Sequence, residues 1–201
     1  YCAEAGLAST HFVNVVDHGP VVAPFGGSDG RFVTNPFSAA LPGPDGAAPL
    51  LDMATSTIAL GKARVAHNRG LPVPEGCLLD EAGRPTTDPA ALVERHEGAL
   101  TAFGAHKGSG LAVMCEIFAG ALSGGRTIQP EHARQGSILN NMISILMDPS
   151  AFGDADAIAR EARAFGAYVK ASPPAPGVDE VLLPGEPEAA SRRERGAEGV
   201  P

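Results

Sequence analysis

Glycine and proline interrupt this chain so often that it must be rich in loops. Together they account for 43 of its 201 residues, and seven of them fall between residues 17 and 36. Apolar residues nevertheless make up 44% of the chain, which is enough to form a hydrophobic core and is unlike the composition of a disordered protein. The sequence therefore predicts a globular protein in which short elements are joined by many turns.

The charge balance narrows the possible partners. Fifteen basic and 23 acidic side chains give a formal net charge of −8, which disfavours nucleic acid and anionic membranes because both bind basic surfaces. Cys2, Cys77 and Cys115 form no CxxC pair, so we expect neither a disulfide scaffold nor a zinc ribbon, and we expect a cytoplasmic location. The six histidines lack metal-ligand spacing, and no apolar run approaches the roughly 20 residues of a membrane span.

Hydrophobic patterning predicts a mixed α/β fold, a mixed sheet with flanking helices, and leaves an α+β arrangement as the alternative. We expect strands over residues 11–16, 37–41, 50–53 and 137–147, the first and last of them buried, and a turn over residues 42–46. We expect helices over residues 54–69, 109–123 and 154–170. In the helix over residues 109–123, Leu111, Met114, Cys115, Phe118 and Leu122 form the apolar stripe. Strands and helices do not alternate strictly, and neither a GxGxxG motif after a strand nor a Walker A motif occurs, so a standard Rossmann or P-loop site is unsupported.

Residues 52–56, with the sequence Asp-Met-Ala-Thr-Ser, are the first candidate binding segment. They place a carboxylate and two hydroxyls at a predicted strand-to-helix turn, where a helix start can bind an anion and a carboxylate can accept hydrogen bonds from ribose. The commoner use of these residue types is to cap a helix, which would leave Asp52 solvated. The spacing leaves both interpretations open.

Two further segments are candidates. Residues 106–110, His-Lys-Gly-Ser-Gly, open the predicted helix over residues 109–123, where the charge of Lys107 and the helix dipole would favour a diphosphate; an ordinary helix start is an equally good interpretation. In Thr34-Asn35-Pro36, the proline should hold Asn35 in an extended conformation, with its amide directed towards a substrate. A simple turn is the alternative there.

Seven stretches in combination resemble the malate/L-lactate dehydrogenase family, whose members bind their cofactor in a non-Rossmann fold. They are Val22-Ala-Pro-Phe-Gly-Gly27, Arg31-Phe-Val-Thr-Asn-Pro-Phe37, Leu50-Leu-Asp-Met-Ala-Thr-Ser56, Gly61-Lys62, Gly83-Arg-Pro-Thr-Thr-Asp-Pro89, His106-Lys-Gly-Ser-Gly-Leu111 and Ala121-Leu-Ser-Gly-Gly125. The resemblance implies a homodimeric enzyme that moves hydride between NAD, or NADP, and a small 2-hydroxy or 2-oxo acid. It also implies a cofactor-binding domain over residues 1–170, and a linker and tail over residues 171–201 that return to an N-terminal domain.

The resemblance also implies which residues contact ligands. Those matching cofactor positions are Leu50, Leu51, Asp52, Met53, Ala54, His106, Lys107, Asn140, Gly185, Glu186, Pro187 and Glu188. Pro187 stands where relatives carry a larger aromatic residue, so we expect only backbone contacts there. Thr34 and Asn35 are the expected substrate contacts.

No residue of this chain is assigned a catalytic role. The family's Ser-His-Gly motif and a second histidine would precede Tyr1, and the carbonyl reduction needs a proton donor from that region. The first six residues also resemble the last turn of a helix with Gly6 as its stop, so we expect a piece of a longer protein. The alternatives are a nucleotide-binding module without turnover and a dimerisation piece.

Overall fold

A computed structural model describes residues 1–43, 49–132 and 136–199 of the chain. The described strands are β1 (Ala8–Val16), β2 (Phe37–Ala40), β3 (Leu50–Met53), β4 (Leu78–Leu79), β5 (Pro85–Thr86), β6 (Ala99–Leu100) and β7 (Leu139–Met147). The described α-helices are α1 (Leu60–Asn68), α2 (Ala90–Val93), α3 (His106–Cys115), α4 (Ala155–Lys170) and α5 (Glu186–Glu198). A π-helical segment, Glu116–Leu122, continues α3, and a 3-10 turn covers Pro149–Ala151.

The chain divides into two compact units. Unit 1 comprises Tyr1–Thr10, Ser38–Asp52 and Ser144–Pro201, and unit 2 comprises His11–Phe37 and Met53–Ile143. One sheet has the strand order β3-β2-β1-β7, and the other has the order β5-β4-β6. The predicted boundary at residue 170 separates a cofactor-binding domain from a linker and tail. It describes cofactor binding and not compactness, so it stays a prediction.

The main core of unit 2 surrounds the short strand β4. Leu78 is paired in antiparallel register with Thr86 of β5 and with Leu100 of β6, and both leucines are fully buried. Val22 joins them through a bridge to Leu100, while Ala63 of α1 and Ala112 of α3 pack on the same cluster. A second cluster contains Val15, Val33 and Ile128.

The predicted strands are confirmed, with one correction to their burial. Residues 11–16, 37–41 and 50–53 correspond to β1, β2 and β3, whereas part of the turn expected over residues 42–46 lies outside the described residues. Residues 137–147 contain β7, but this strand is not buried: Leu139, Met142 and Ile145 are among its exposed side chains. An apolar run indicates that a strand favours burial, but it does not show which segment, if any, covers that strand.

The helix predicted over residues 54–69 begins later than expected. α1 starts at Leu60, and its N-cap, Ala59, makes no side-chain hydrogen bond. The hydroxyls expected to cap the helix bond elsewhere, because Thr55 Oγ1 donates to the Thr34 carbonyl and Ser56 Oγ donates to the Ile58 carbonyl. Residues 52–56 are therefore an extended segment and not a helix start.

The helix predicted over residues 109–123 exists, but its predicted apolar stripe is only partly buried: Cys115 is buried, and Leu111 and Phe118 are half-buried. Its buried residues are mostly small: Gly108, Ser109, Ala112, Cys115, Ala119 and Gly120, together with Glu116. Leu122, expected in the stripe, is 63% exposed. The small residues permit close packing: a Cβ on Gly120 would lie 2.8 Å from the Asn14 amide nitrogen, Nδ2, and 2.9 Å from the Arg126 carbonyl oxygen.

The amphipathic helix predicted over residues 154–170 is α4, and the Asp154 carboxylate caps it by accepting from the Asp156 N–H. Its apolar face includes Phe165, which is 66% exposed. The charged segment from residue 189 is helical as well, although α5 already begins at Glu186. None of the described helices is both long and apolar enough to cross a membrane.

Candidate functional site

In unit 1, strand β3 meets the turn that precedes α5. The Leu50 N–H donates to the Pro184 carbonyl at 3.1 Å. Gly185 follows with φ +92°, and a Cβ there would lie 3.1 Å from the Leu50 Cβ. Two segments that the resemblance assigns to the cofactor, residues 50–52 and 185–188, are thus adjacent although about 130 residues separate them in the sequence.

A groove of about 380 Å³ lies beside this contact. Alanines of α4, with Leu183 and Pro184, supply its apolar wall, and Arg163, Lys170 and Arg193 bring positive charge to it. An apolar groove with several cations suits a ligand that combines a flat ring with an anionic group.

Glu186 fixes the turn at this groove. Its carboxylate accepts from the Lys170 ammonium, with both oxygens at 2.8 Å from Nζ, and also from the Leu183 N–H at 2.8 Å. These hydrogen bonds hold the pKa of Glu186 below its usual value, and the same pair raises the pKa of Lys170. The carboxylate of Asp52 is exposed and makes no hydrogen bond or ion pair to the described residues. Pro187 and Glu188 lie exposed in the first turn of α5.

In unit 2, a cleft of about 530 Å³ opens beside the start of α3. Its lining includes Phe25, Gly26, Gly104 and Ala105. The ring of His106 makes an edge-to-face contact with Phe25, with ring centroids 5.9 Å apart, and the Phe25 N–H donates to the Ser109 hydroxyl. His106 and its neighbour Lys107 are both exposed.

The backbone at the start of α3 does not provide the anion site that the sequence suggested. The Lys107 and Gly108 amides already donate to the Gly104 and Phe103 carbonyls. A Cβ on Gly108 would also overlap the backbone of Phe103, so this glycine permits tight packing of the chain and not the approach of a ligand. The side chains of His106 and Lys107 remain the candidate contacts.

The predicted geometry of Asn35 is wrong. Its φ is +31°, in the left-handed region and not extended, and its side chain is fully buried. The Asn35 Nδ2 donates to the Glu116 carboxylate at 2.8 Å and to the Ala112 carbonyl at 3.3 Å. Thr34, by contrast, lies directly beside the first candidate segment, residues 52–56, because its carbonyl accepts from both the N–H and the hydroxyl of Thr55. The substrate contact of these two residues stays a prediction.

Sequence reasoning missed Glu116, although it is the centre of a buried polar network. It is 6% exposed, and it accepts from Asn14, Asn35 and the Ile128 N–H. A signal was present: Glu116 is the only charged residue between residues 109 and 123. A single charge within an otherwise uncharged helix indicates a buried polar contact or a functional group.

The same network reaches β7. Asn141 Nδ2 donates to Asn14 Oδ1 at 3.0 Å and to the Arg126 carbonyl at 3.2 Å. Side chains alternate along a strand, so the preceding Asn140 points to the opposite face, where it is exposed. Met53 and Ala54, the remaining predicted cofactor contacts, are half-buried. No group of three potential metal ligands occurs in the described parts of the chain.

Comparison with known proteins agrees with these observations. The family model for malate/L-lactate dehydrogenase matches residues 1–201. Hydroxycarboxylate dehydrogenase B of Escherichia coli strain K12 is 50% identical over 202 residues, and L-lactate dehydrogenase of Cupriavidus necator is 48% identical over 191 residues. These alignments cover 100% and 94% of this chain but only 55% of each relative, so the chain spans about half the length of both.

A solved structure from E. coli, described as a candidate malate/lactate dehydrogenase, superposes with a TM-score of 0.92 at 50% identity. The match covers all of this chain and 56% of the solved one. The predicted fold class, mixed α/β, is therefore confirmed. The chain belongs to the malate/L-lactate dehydrogenase family.

Proposed function

We propose that this chain binds the nicotinamide cofactor, and part of the substrate, in an NAD(P)-dependent 2-hydroxyacid dehydrogenase. The observation that carries the proposal is the family match over all 201 residues, joined to 50% identity with a hydroxycarboxylate dehydrogenase. The substrate would be a 2-hydroxy acid, or the matching 2-oxo acid, of the malate, lactate or hydroxyphenylpyruvate type. We also propose a homodimer in the cytoplasm.

The residues of unit 1 fit such a cofactor. A Cβ on Gly185 would lie 3.1 Å from the Leu50 Cβ, so glycine at this position lets the turn before α5 lie close against β3. The neighbouring groove offers an apolar wall and the cations of Arg163 and Arg193 to a nucleotide, while Lys170 is paired with Glu186. In this proposal Leu50, Leu51, Asp52 and residues 185–188 contact the cofactor.

Met53, Ala54, His106, Lys107 and Asn140 are the remaining proposed cofactor residues, and Thr34 and Asn35 are the proposed substrate residues. When bound, the nicotinamide ring gives or accepts the hydride. The side chains of this chain bind and orient the cofactor and the substrate. We place the proton donor outside residues 1–201, in the part of the relatives that this chain does not cover.

The test uses the complete gene product that contains these residues. Titration with NADH and with NADPH, followed by cofactor fluorescence, should show saturable binding, and pyruvate, oxaloacetate or hydroxyphenylpyruvate should then be reduced. A preparation limited to residues 1–201 should give no steady turnover, since a lost general acid alone costs about 10²–10⁴ in rate. Absence of cofactor binding by the complete protein would refute the proposal. Binding without turnover on any 2-oxo acid would favour the nucleotide-binding module instead.

A further inference from the structure

We propose that Glu116 is a positioning residue: its buried carboxylate holds the Thr34–Asn35 peptide against residues 53–55, and so fixes substrate and cofactor segments of unit 2 relative to each other. The proposal rests on the proposed function for its catalytic consequence. Its structural part, the coupling of Glu116 to Thr55, stands independently.

The partners of Glu116 point to a role other than simple stabilisation. Oε2 accepts from Asn14 Nδ2 at 3.1 Å and from the Ile128 N–H at 3.0 Å, and Oε1 accepts from Asn35 Nδ2 at 2.8 Å. Within the described residues no cation forms an ion pair with it. A buried polar group of this kind is costly to desolvate, and well-packed apolar side chains often serve stability equally well. What the carboxylate adds is a fixed direction for each donor.

Asn35 is the donor whose position most needs fixing. It has a positive φ, which residues other than glycine seldom adopt, and it is fully buried. Both neighbours of its Nδ2 are acceptors, the Glu116 carboxylate and the Ala112 carbonyl, so the amide cannot be turned over without placing oxygen against oxygen. Its Oδ1 has no hydrogen-bond partner in the described structure. The side-chain orientation of Asn35 thus leaves its Oδ1 without a hydrogen bond, while its Nδ2 donates to Glu116.

This contact is transmitted to the neighbouring segment through a single carbonyl. The Thr34 carbonyl accepts the Thr55 N–H at 2.9 Å and the Thr55 hydroxyl at 3.0 Å. Residues 53–54, proposed to contact the cofactor, directly precede Thr55. On its other side Glu116 is held by Asn14, which binds Asn141 next to Asn140. Three segments proposed to contact ligands, distant in sequence, thus depend on one carboxylate.

The variant Glu116→Gln tests this link selectively. A glutamine keeps one oxygen, which in the Oε2 position still accepts from Asn14 and the Ile128 N–H. Its amide nitrogen must then face Asn35 Nδ2, donor against donor, and that one hydrogen bond is lost. Adding Asn35→Asp supplies an acceptor to this amide and should restore part of the link, limited by the nearby Ala112 carbonyl.

Val73→Ala is the control for lost stability. Val73 is buried in the cluster around Leu78 and has no part in the network, so its truncation destabilises unit 2 without changing a polar contact. The first readout is amide hydrogen exchange. The exchange rate at Thr55 is divided by the rate at the core amide of Leu100, which donates to the Val21 carbonyl at 2.7 Å.

Glu116→Gln should raise this ratio at least tenfold, the double variant should lower it again, and Val73→Ala should leave it unchanged. In the complete protein, kcat/KM for the 2-oxo acid should fall at least tenfold in Glu116→Gln, through kcat as well as KM. An unchanged exchange ratio, or the same kinetic loss in Val73→Ala at equal stability, would overturn the proposal. A wild-type protein without dehydrogenase activity would refute the proposed function and the catalytic role of Glu116, while the exchange ratio would still decide the coupling to Thr55.

Discussion

Replacing Gly185 with alanine should weaken both the fold and cofactor binding, because two independent costs coincide at this position. Gly185 has φ +92°, a conformation that costs a residue with a side chain roughly 1–2 kcal/mol. The new Cβ would also lie 3.1 Å from the Leu50 Cβ and 3.3 Å from the Leu50 N and O. Two of these three neighbours are backbone atoms of β3, so they cannot turn aside, and such overpacking costs about 1–3 kcal/mol.

The chain contains a control that separates the two costs. Gly177 has φ +81°, and a Cβ there would meet nothing within 4 Å. Gly177→Ala should therefore lower the free energy of unfolding by the conformational cost alone, about 1–2 kcal/mol. Gly185→Ala should lower it by the sum, about 2–5 kcal/mol. The entropy that alanine removes from the unfolded chain is common to both variants and cancels.

Urea denaturation of both variants measures the stability part, and titration with NADH measures the binding part. If residues 50–52 and 185–188 together hold the cofactor, Gly185→Ala should raise its Kd at least tenfold, which is about 1.4 kcal/mol, while Gly177→Ala leaves the Kd unchanged. Equal losses of unfolding free energy in the two variants would refute the crowding at Leu50. An unchanged Kd in Gly185→Ala would remove this turn from the proposed cofactor site.

Four further predictions follow from the same structure. Asp52→Ala should raise the cofactor Kd tenfold to a hundredfold and slow the bound-state reaction less, since a charged hydrogen bond is worth about 1.5–3 kcal/mol; the reverse pattern would place Asp52 at the reaction centre. Fluorescence titration should show that Lys107→Ala weakens binding mainly at low salt and that His106→Ala does so with little salt dependence; equal affinities would leave this segment structural. The pKa of Glu186 is lowered, so its ionised form stabilises the fold above pH about 4.5 and this contribution disappears as the pH falls through the folded-state pKa; the stability difference between wild type and Glu186→Gln should shrink on acidification to pH 3. A thiol reagent at pH 8 should label Cys2 and spare the buried Cys77 and Cys115 until the protein is unfolded. Mass spectrometry would count the labels on the folded and unfolded protein.

Local sequence patterns predicted the elements better than they predicted what the elements contact. The strand over residues 50–53 and the helix capped by Asp154 follow from rules that act within a few residues, and both are found. The predicted start of α1 was wrong because a contact between distant residues decides it. Thr55 has the hydroxyl of a capping residue, but it donates to the Thr34 carbonyl, 21 residues earlier in the chain. Nothing within a local window distinguishes these two uses of a threonine.

The apolar stripe of the helix over residues 109–123 is confirmed only in part, because helical periodicity reflects hydrophobicity and says nothing of how closely neighbouring segments approach the helix. Where helix and strand approach closely, small side chains are selected, and Gly120 lies within reach of Asn14. The larger residues Met114 and Leu122 are left exposed on the described surface. Cys115 belongs to both sets, but most of the small buried residues lie beside the predicted stripe, and a periodicity count detects only the large apolar side chains.

Glu116 shows how such a face can be recognised. A charged side chain among small residues cannot be buried for hydrophobic reasons, so its position must be set by donors from other segments. Here two of those donors are asparagines from residues 14 and 35, far from it in sequence. Asparagine amides at both ends of a polar network constrain direction as well as distance, because each amide has one donating and one accepting side. Glu116 thus determines the orientation of the Thr34–Asn35 peptide. This contact joins residues about 80 positions apart, so a local sequence pattern could not reveal it.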